Sequence, residues 1–464
     1  MMDTDMNAEQ LREHLYEKYI APTEKRRETC IGVEIEIPTV NLLGGATDQN
    51  VAKGAFSEFI RHFGFRSCGE DWYGNCYSAT DPVTGDNISF DCSYNNLEFS
   101  FGKEKGLGPI QERFTGYIRY LNGLLEKEHH TLTGMGINPH YHANRKEYLP
   151  VPRYQMLEGY LRRSRDWKLP MYLHPYPEFG TYASASQVQL DVSRDSLIST
   201  IRAHSLLEPV KSVLFANAWM EDEPELLCVR DLFWENSTHG INPHNIGMYE
   251  RIPENVEELL DYISGTSIFC TERDGKYCHF VPIPIEEYFN YRQIEGEYFW
   301  EGVYHPYSFA PREEDLKYLR TYKFEDVTWR GTIEYRSCCS QPFSDAMTVA
   351  AFHLGLVEKT DELNELLDQD HVLYHHGYSA GELRKILNHR KWPEFIDHDR
   401  LSSLCLQVLN LADAGLRERG LGEEIFLKPL YRRAEKLSSP ARKLVVGLES
   451  GHSLQEYILE YAQL

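Results

Sequence analysis

Apolar and polar positions alternate with a period of two at several places along this chain, and each such stretch predicts a β-strand. In Cys30–Val40, Ile31, Val33, Ile35 and Ile37 alternate with Gly32, Glu34 and Glu36. In 88–101, Ile88, Phe90 and Cys92 alternate with Ser89 and Asp91, and after a turn Leu97, Phe99 and Phe101 alternate with Glu98 and Ser100. Val188, Leu190 and Val192 stand opposite Gln187, Gln189, Asp191 and Ser193, and Ile333 and Tyr335 opposite Thr332, Glu334 and Arg336. A spacing near 3.6 predicts helices over Asn7–Tyr19, Val51–Phe63, Leu107–Glu128, the PVPRYQMLEGYL stretch and Asp195–Met220. Gly44–Thr47 reads as a turn, Ser67–Asn87 as hairpin and loop, Gly134–His140 as a strand end and turn, and Glu221–Asn290 as loop-rich. From Asp345 onward only helical spacing remains, near 345–368, 380–391, 397–418, 423–437 and 453–464. Two regions follow: 1–345, which holds all the strands, and a helical 346–464 packed on it, or continuous with it as one domain.

The polar faces are unusual. They carry Glu34, Glu36, Asp91, Glu98, Gln187, Gln189, Asp191, Glu334 and Arg336, and no lysine. A solvated sheet normally mixes in Lys and Thr to protect its edges. A strand that faces water and happens to carry two glutamates is the plain reading of Glu34 and Glu36 alone. Recurrence of the pattern favours a shared cavity for cations and anions, roofed by an antiparallel sheet whose apolar face packs on helices in an α+β arrangement. Same-face side chains lie roughly 6.6 Å apart along a strand. Glu34 and Glu36 therefore raise each other's pKa unless a cation lies between them, and Mg²⁺ suits all-oxygen ligands.

Composition narrows the partners. With 48 Lys and Arg against 71 Asp and Glu, the 464-residue chain has a net charge of −23. Such a surface repels nucleic acid and anionic membrane, so neither is an expected partner. The longest apolar run, near Ala346–Val357, is too short to span a bilayer. The start, MMDTDMNAEQ, lacks the order of a signal peptide, and the ten cysteines form no CxxC pair. A cytoplasmic protein with reduced cysteines is expected.

The chemistry that suits such a cavity is phosphoryl transfer from a nucleotide, in which positioning and charge neutralisation do most of the catalysis. Glu34, Glu36, Glu98 and Glu334 would hold Mg²⁺, and Arg336 would meet the phosphates. There is no GxxxxGK[ST], and GMGINP does not complete GxGxxG, so a P-loop or Rossmann site is not expected.

The stretches CIGVEIEIP, NNLEFSFG, PVPRYQMLEGYL, ASQVQLDVS, FANAW with CVRDLFW, and RGTIEYRS follow one another in an order that resembles glutamate–cysteine ligase, in its plant and proteobacterial branch. The resemblance covers roughly residues 28–345. It implies a glutamine-synthetase-like catalytic fold, with an antiparallel sheet curved around the active site. It also implies ATP as co-substrate, two or three Mg²⁺ ions, and ligation of the γ-carboxylate of glutamate to an amine through γ-glutamyl phosphate. On matching positions Glu34, Glu36, Glu98 and Glu334 look like the metal ligands, with Gln189 completing the shell. Arg153 and Arg230 look like the arginines that hold substrate carboxylates, with Gln187 on the same substrate side. Arg336 is similar to the phosphate-facing arginine, and either Arg230 or Arg336 can take the catalytic role at carboxylate or phosphate. The acceptor implied is cysteine, or another amino acid or amine if the 221–330 loops have diverged.

Other candidates carry less. His140 and His142 in NPHYH, with His174, could be read as a zinc cluster, but no third ligand has matching spacing and a structural or substrate-lining role is expected. His129–His130 and His375–His376 read as surface pairs. Arg153, at a helix start, could simply bridge a surface carboxylate. Trp234, Tyr298–Trp300 and Tyr304–Tyr307 could line an acceptor or adenine pocket, or pack as core. Nothing in the spacing gives Cys338 or Cys339 a thiolate-activating neighbour. Two other functions share the acidic face: a metal-dependent hydrolase or phosphotransferase that ignores glutamate, and a non-catalytic regulator that binds glutamate or nucleotide.

Overall fold

A computed structural model describes residues 6–25, 28–165, 171–370 and 377–464. The pair His375–His376 lies outside them. Strand β1 (Ile31–Asn41) is central to a sheet that also contains β2 (Arg66–Glu70), β3 (Cys76–Thr80), β4 (Asn87–Phe90), β5 (Asn96–Glu104), β6 (His130–Leu132) and β7 (Ser186–Asp191). Beyond these, β8 (Ile246–Gly247), β9 (Ser267–Arg273), β10 (Lys276–Pro284), β11 (Ile294–Trp300), β12 (Val303–Phe309), β13 (Tyr322–Lys323), β14 (Glu325–Val327) and β15 (Thr332–Tyr335) follow in chain order. The large sheet runs β14-β15-β7-β1-β5-β4-β3-β2, every pairing antiparallel, with β6 on the far end of β1.

The expected alternation sets its two faces. Ile31, Val33, Ile35 and Ile37 are buried with Phe99, Leu190 and Ile333 on the apolar side. Under it pack helices α1 (Gln49–Phe63) and α2 (Leu107–Leu125), where Phe56 meets Phe90 at 4.8 Å and Phe114 meets Phe101 at 6.4 Å between ring centroids. Further along, Tyr335 meets His353 of α6 (Thr348–Val357) and His204 of α4 (Arg194–Phe215), each at 4.5 Å. The chain between carries α3 (Pro152–Arg162), opened by Pro152 at its first turn as expected, and α5 (Val229–Glu235). After α6 every regular element among the described residues is helical, including α7 (Ala380–Asn388) and α8 (His398–Arg419). Helices α6 and α8 cross where Gly355 faces Gly415. A Cβ on Gly355 would stand 2.2 Å from the Ala412 carbonyl oxygen, so only glycine lets the backbones approach this closely. One hydrophobic cluster runs from Leu11 through the sheet to Val445.

Two expectations are corrected here. Residues 221–290 are not mainly loop. They contain α5, the helix Val256–Ser264 and two strands, β9 and β10, of a four-stranded antiparallel sheet ordered β12-β11-β10-β9. Its strands bear Tyr, His, Pro and Glu on half-buried positions, so no clean period-two pattern marks them. The Asp274–Gly275 pair between β9 and β10, both residues at positive φ, is the sequence signal that could have found the hairpin. His130 is also no surface residue. It is buried, and its Nε2 accepts from the Asp48 backbone N–H at 3.0 Å. Among the described residues no helix is long and apolar enough to cross a membrane.

Candidate functional site

Register brings the polar residues together. Glu36 pairs directly with Glu98 across β1 and β5, Glu34 with Gln187 across β1 and β7, and Glu334 with Gln189 across β15 and β7. All six side chains open into one cavity of about 680 Å³, which Arg153, Arg230 and Arg336 also line. Eight of the nine polar-face residues singled out in the sequence therefore share one space; Asp191 is not in its lining and accepts from the Cys30 N–H at 3.2 Å. Like charges directly opposite on adjacent strands are destabilising, and here they are enclosed as well.

The acids form two groups. One oxygen each from Glu36, Asp91 and Glu98 lie within 4.8 Å of one another. Glu36 accepts from the Ala185 N–H at 2.8 Å and from Gln187 Nε2 at 3.0 Å, while Gln187 Oε1 is buried without a partner. Asp91 accepts from the Tyr154 hydroxyl at 3.0 Å, and Glu98 from Ser100 at 2.7 Å. The second group is Glu34 and Glu334, bridged by Gln189, whose Nε2 lies 3.2 Å from an oxygen of each. Burial raises every one of these shifted acids. It pushes Glu34 up to about 8, with help from Glu334 and Glu98, and Glu98 up to about 7, with help from Asp91. Burial and the charges of Asp91 and Glu98 lift Glu36 well above the usual carboxylate range, and burial raises Asp91. Asp326, opposite Glu334 on β14, rises to about 7 for the same reason.

Cations face this floor. Arg336 pairs with Glu334 at 2.7 Å and lies over the Tyr322 ring. Burial works against its charge, but Glu334, Asp326 and Glu34 outweigh it and hold the guanidinium protonated. Arg330 donates to Gln189 Oε1 at 3.1 Å, and Lys18, Lys317 and Arg320 line the same cavity. Arg153, on the first turn of α3, is exposed to the cavity, lies over the Tyr154 ring, and has no carboxylate partner among the described residues. It does not bridge a surface carboxylate. Arg230 is buried and donates to the carbonyls of Ser337 and Cys338 at 3.3 and 3.1 Å, so the wall of the cavity holds it as much as it faces the cavity.

Asp91 is the residue that sequence reasoning placed on a polar face without a role. It lies one residue past the end of β4, and only the β4–β5 pairing reveals how near it comes to Glu36. Cys339 corrects another expectation. Its Sγ is 3.4 Å from that of Cys228 and 3.9 Å from Arg230 Nη1. Burial alone would push the thiol up, but the Cys228 hydrogen bond and the Arg230 charge bring it down to about 6. These neighbours are 111 and 109 residues away in sequence, so no local spacing signals them. His174 is structural, bonded to the Phe233 carbonyl at 2.9 Å and accepting from the Tyr176 N–H at 3.0 Å. His140 and His142 lie outside the cavity lining, His142 within 3.4 Å of Asp222. Of the aromatics singled out, Trp234 lines the cavity, whereas Phe299 and Trp300 border a separate cleft with Trp72.

Comparison with known proteins gives one consistent answer. The family model described as glutamate-cysteine ligase family 2 (GCS2) matches residues 30–458. The chain is 24% identical over 326 residues to chloroplastic glutamate–cysteine ligases of Solanum lycopersicum and Arabidopsis thaliana, a match covering 67% of this chain and 56% of each relative. It thus spans just over half the length of the curated relatives it matches. Among solved structures, a glutamate–cysteine ligase of Francisella tularensis in complex with AMP superposes with a TM-score of 0.50 at 13% identity, covering 95% of this chain and 88% of that one. That likeness concerns the fold.

Proposed function

This chain belongs to the glutamate–cysteine ligase family 2, and from that premise we propose that it is an ATP-dependent γ-glutamyl ligase. The γ-carboxylate of glutamate attacks the γ-phosphorus of ATP, ADP leaves, and γ-glutamyl phosphate forms. An amine then attacks the acyl carbon, loses a proton and expels phosphate. The observation that carries the reading is the cluster of Glu36, Asp91 and Glu98, three carboxylates within 4.8 Å in a cavity also lined by Arg153, which has no ion-pair partner among the described residues. Enclosed carboxylates held this close need a counter-cation to ionise, and an unpaired guanidinium in a cavity suits a carboxylate ligand.

The donor set fits a divalent cation of the hard class. It is made of oxygens alone, with no thiol or imidazole, and includes the orphaned amide oxygen of Gln187. Glu36, Asp91 and Glu98 would hold one Mg²⁺, and Glu34 and Glu334, with Gln189 between them, a second. When bound, Mg²⁺ supplies charge neutralisation for crowded phosphate and carboxylate oxygens. Arg336, protonated and directed by Glu334, faces the phosphate chain and stabilises charge that grows in transfer. Arg153 takes a substrate carboxylate, and Arg230 fixes the wall against which glutamate lies. α3, the 179–180 turn and Trp234 wall the cavity, so that bound substrates displace its water from around the acyl phosphate.

Cysteine is the acceptor that the relatives' names support, and other amino acids or amines are the alternative. All ten cysteines are free, which favours a reducing compartment such as the cytoplasm. The test is phosphate release from MgATP with glutamate, with cysteine run beside a panel of amino acids and amines. Glutamate-dependent release that rises with one acceptor, and a product heavier by one glutamyl unit, is the expected result. Release independent of glutamate would refute the ligase and favour a hydrolase.

A further inference from the structure

The turn between β14 and β15 is tight. The Thr328 N–H donates to the Thr332 carbonyl at 2.9 Å, the Gly331 N–H to the Thr328 carbonyl at 3.1 Å, and Gly331 has a φ of 77°. Such a turn needs no large side chain, yet its tip carries Trp329 and Arg330. Trp329 lines the mouth of the acidic cavity and is 62% exposed. Exposed Trp72, by contrast, stacks on Phe299. Among the described residues no aromatic ring packs on Trp329. What it has is the Arg330 guanidinium, 5.0 Å from the ring centroid, a cation–π contact.

Arg330 ties that indole to the floor. Its Nη1 donates to Gln189 Oε1, and Gln189 Nε2 lies 3.2 Å from both Glu34 and Glu334. A continuous chain of contacts thus leads from the indole at the mouth to the carboxylates at the base. Gly331 and Glu334 are three residues apart, roughly 10 Å of strand. A ligand with its anionic end at Glu334 and Arg336 would extend along β15 and present its other end at the turn.

Resting on the ligase reading, we propose that Trp329 is the stacking surface for the purine of ATP, with Arg330 bracing the indole. A flat base with an extended π-face gains dispersion energy on an aromatic ring, and stacking of this kind tolerates any purine. Trp329 is then a binding residue for the nucleotide base and has no part in phosphoryl transfer.

The test uses the full chain with Trp329→Ala and Trp329→Phe, probed with MgATP and with inorganic tripolyphosphate, which has no base. The side chain is exposed, so neither variant disturbs folding. We expect the MgATP dissociation constant and the KM for ATP to rise about tenfold or more in Trp329→Ala and to recover largely in Trp329→Phe. Tripolyphosphate affinity, kcat and the KM for glutamate should stay as in the wild type. Equal ATP affinity in Trp329→Ala and wild type would overturn the stacking role, as would parallel losses for ATP and tripolyphosphate. A wild-type protein that binds no nucleoside triphosphate would overturn the ligase reading as well.

Discussion

Glu34→Gln should make the metal-free protein more stable at alkaline pH while it damages the site. In the folded protein Glu34 titrates near 8, raised by burial and by Glu334 and Glu98. In an unfolded chain it titrates near ~4.3. The folded state therefore binds the proton more tightly, and stability falls as pH rises through the interval between those values. At about 1.36 kcal/mol per pH unit, the penalty reaches at most about 5 kcal/mol at pH 8. Water in the open cavity screens it, and we expect on the order of 2 kcal/mol. A glutamine keeps an oxygen for the Gln189 amide and carries no charge. Urea unfolding in EDTA at pH 5, 6.5 and 8 measures the effect. The variant should match wild type at pH 5 and exceed it at pH 8. Mg²⁺ should narrow the gap, because it favours the ionised wild-type site. A difference that is constant across pH, or a variant weaker at pH 8, would refute the reasoning.

Glu36→Gln and Glu334→Gln should each lower turnover about 10²-fold or more while circular dichroism stays unchanged, since each removes one charge from the acidic floor of the cavity. Arg230→Ala should raise the KM for glutamate in steady-state assays more than it lowers kcat. Arg384→Met should lower the unfolding free energy by about 3 to 5 kcal/mol in urea titrations, because it strands Asp231 in the interior and leaves Glu208 only Lys211 as a cation. Arg384 is on α7 and Asp231 is next to Arg230, so removal of 346–464 should cost glutamate binding as well as stability, measured by equilibrium dialysis.

The period-two alternation of β1, β5, β7 and β15 was enough to place Glu34, Glu36, Glu98, Gln189 and Glu334 on polar faces. A strand must send alternate side chains to opposite sides, and the isoleucines and phenylalanines could only face inward. The all-acidic character of those faces was equally local information. Which carboxylates meet was decided by register: Glu36 stands opposite Glu98, and Asp91 joins them only because β4 pairs with β5. The sheet of 267–309 escaped because β9 is buried on both faces while β11 and β12 are largely half-buried on both, so burial leaves no periodic trace in the residues. Cys339, acidified by Cys228 and Arg230 more than a hundred residues away, shows the same limit. Alternation along one strand is a covalent property of the chain, whereas proximity between strands exists only after the chain has folded.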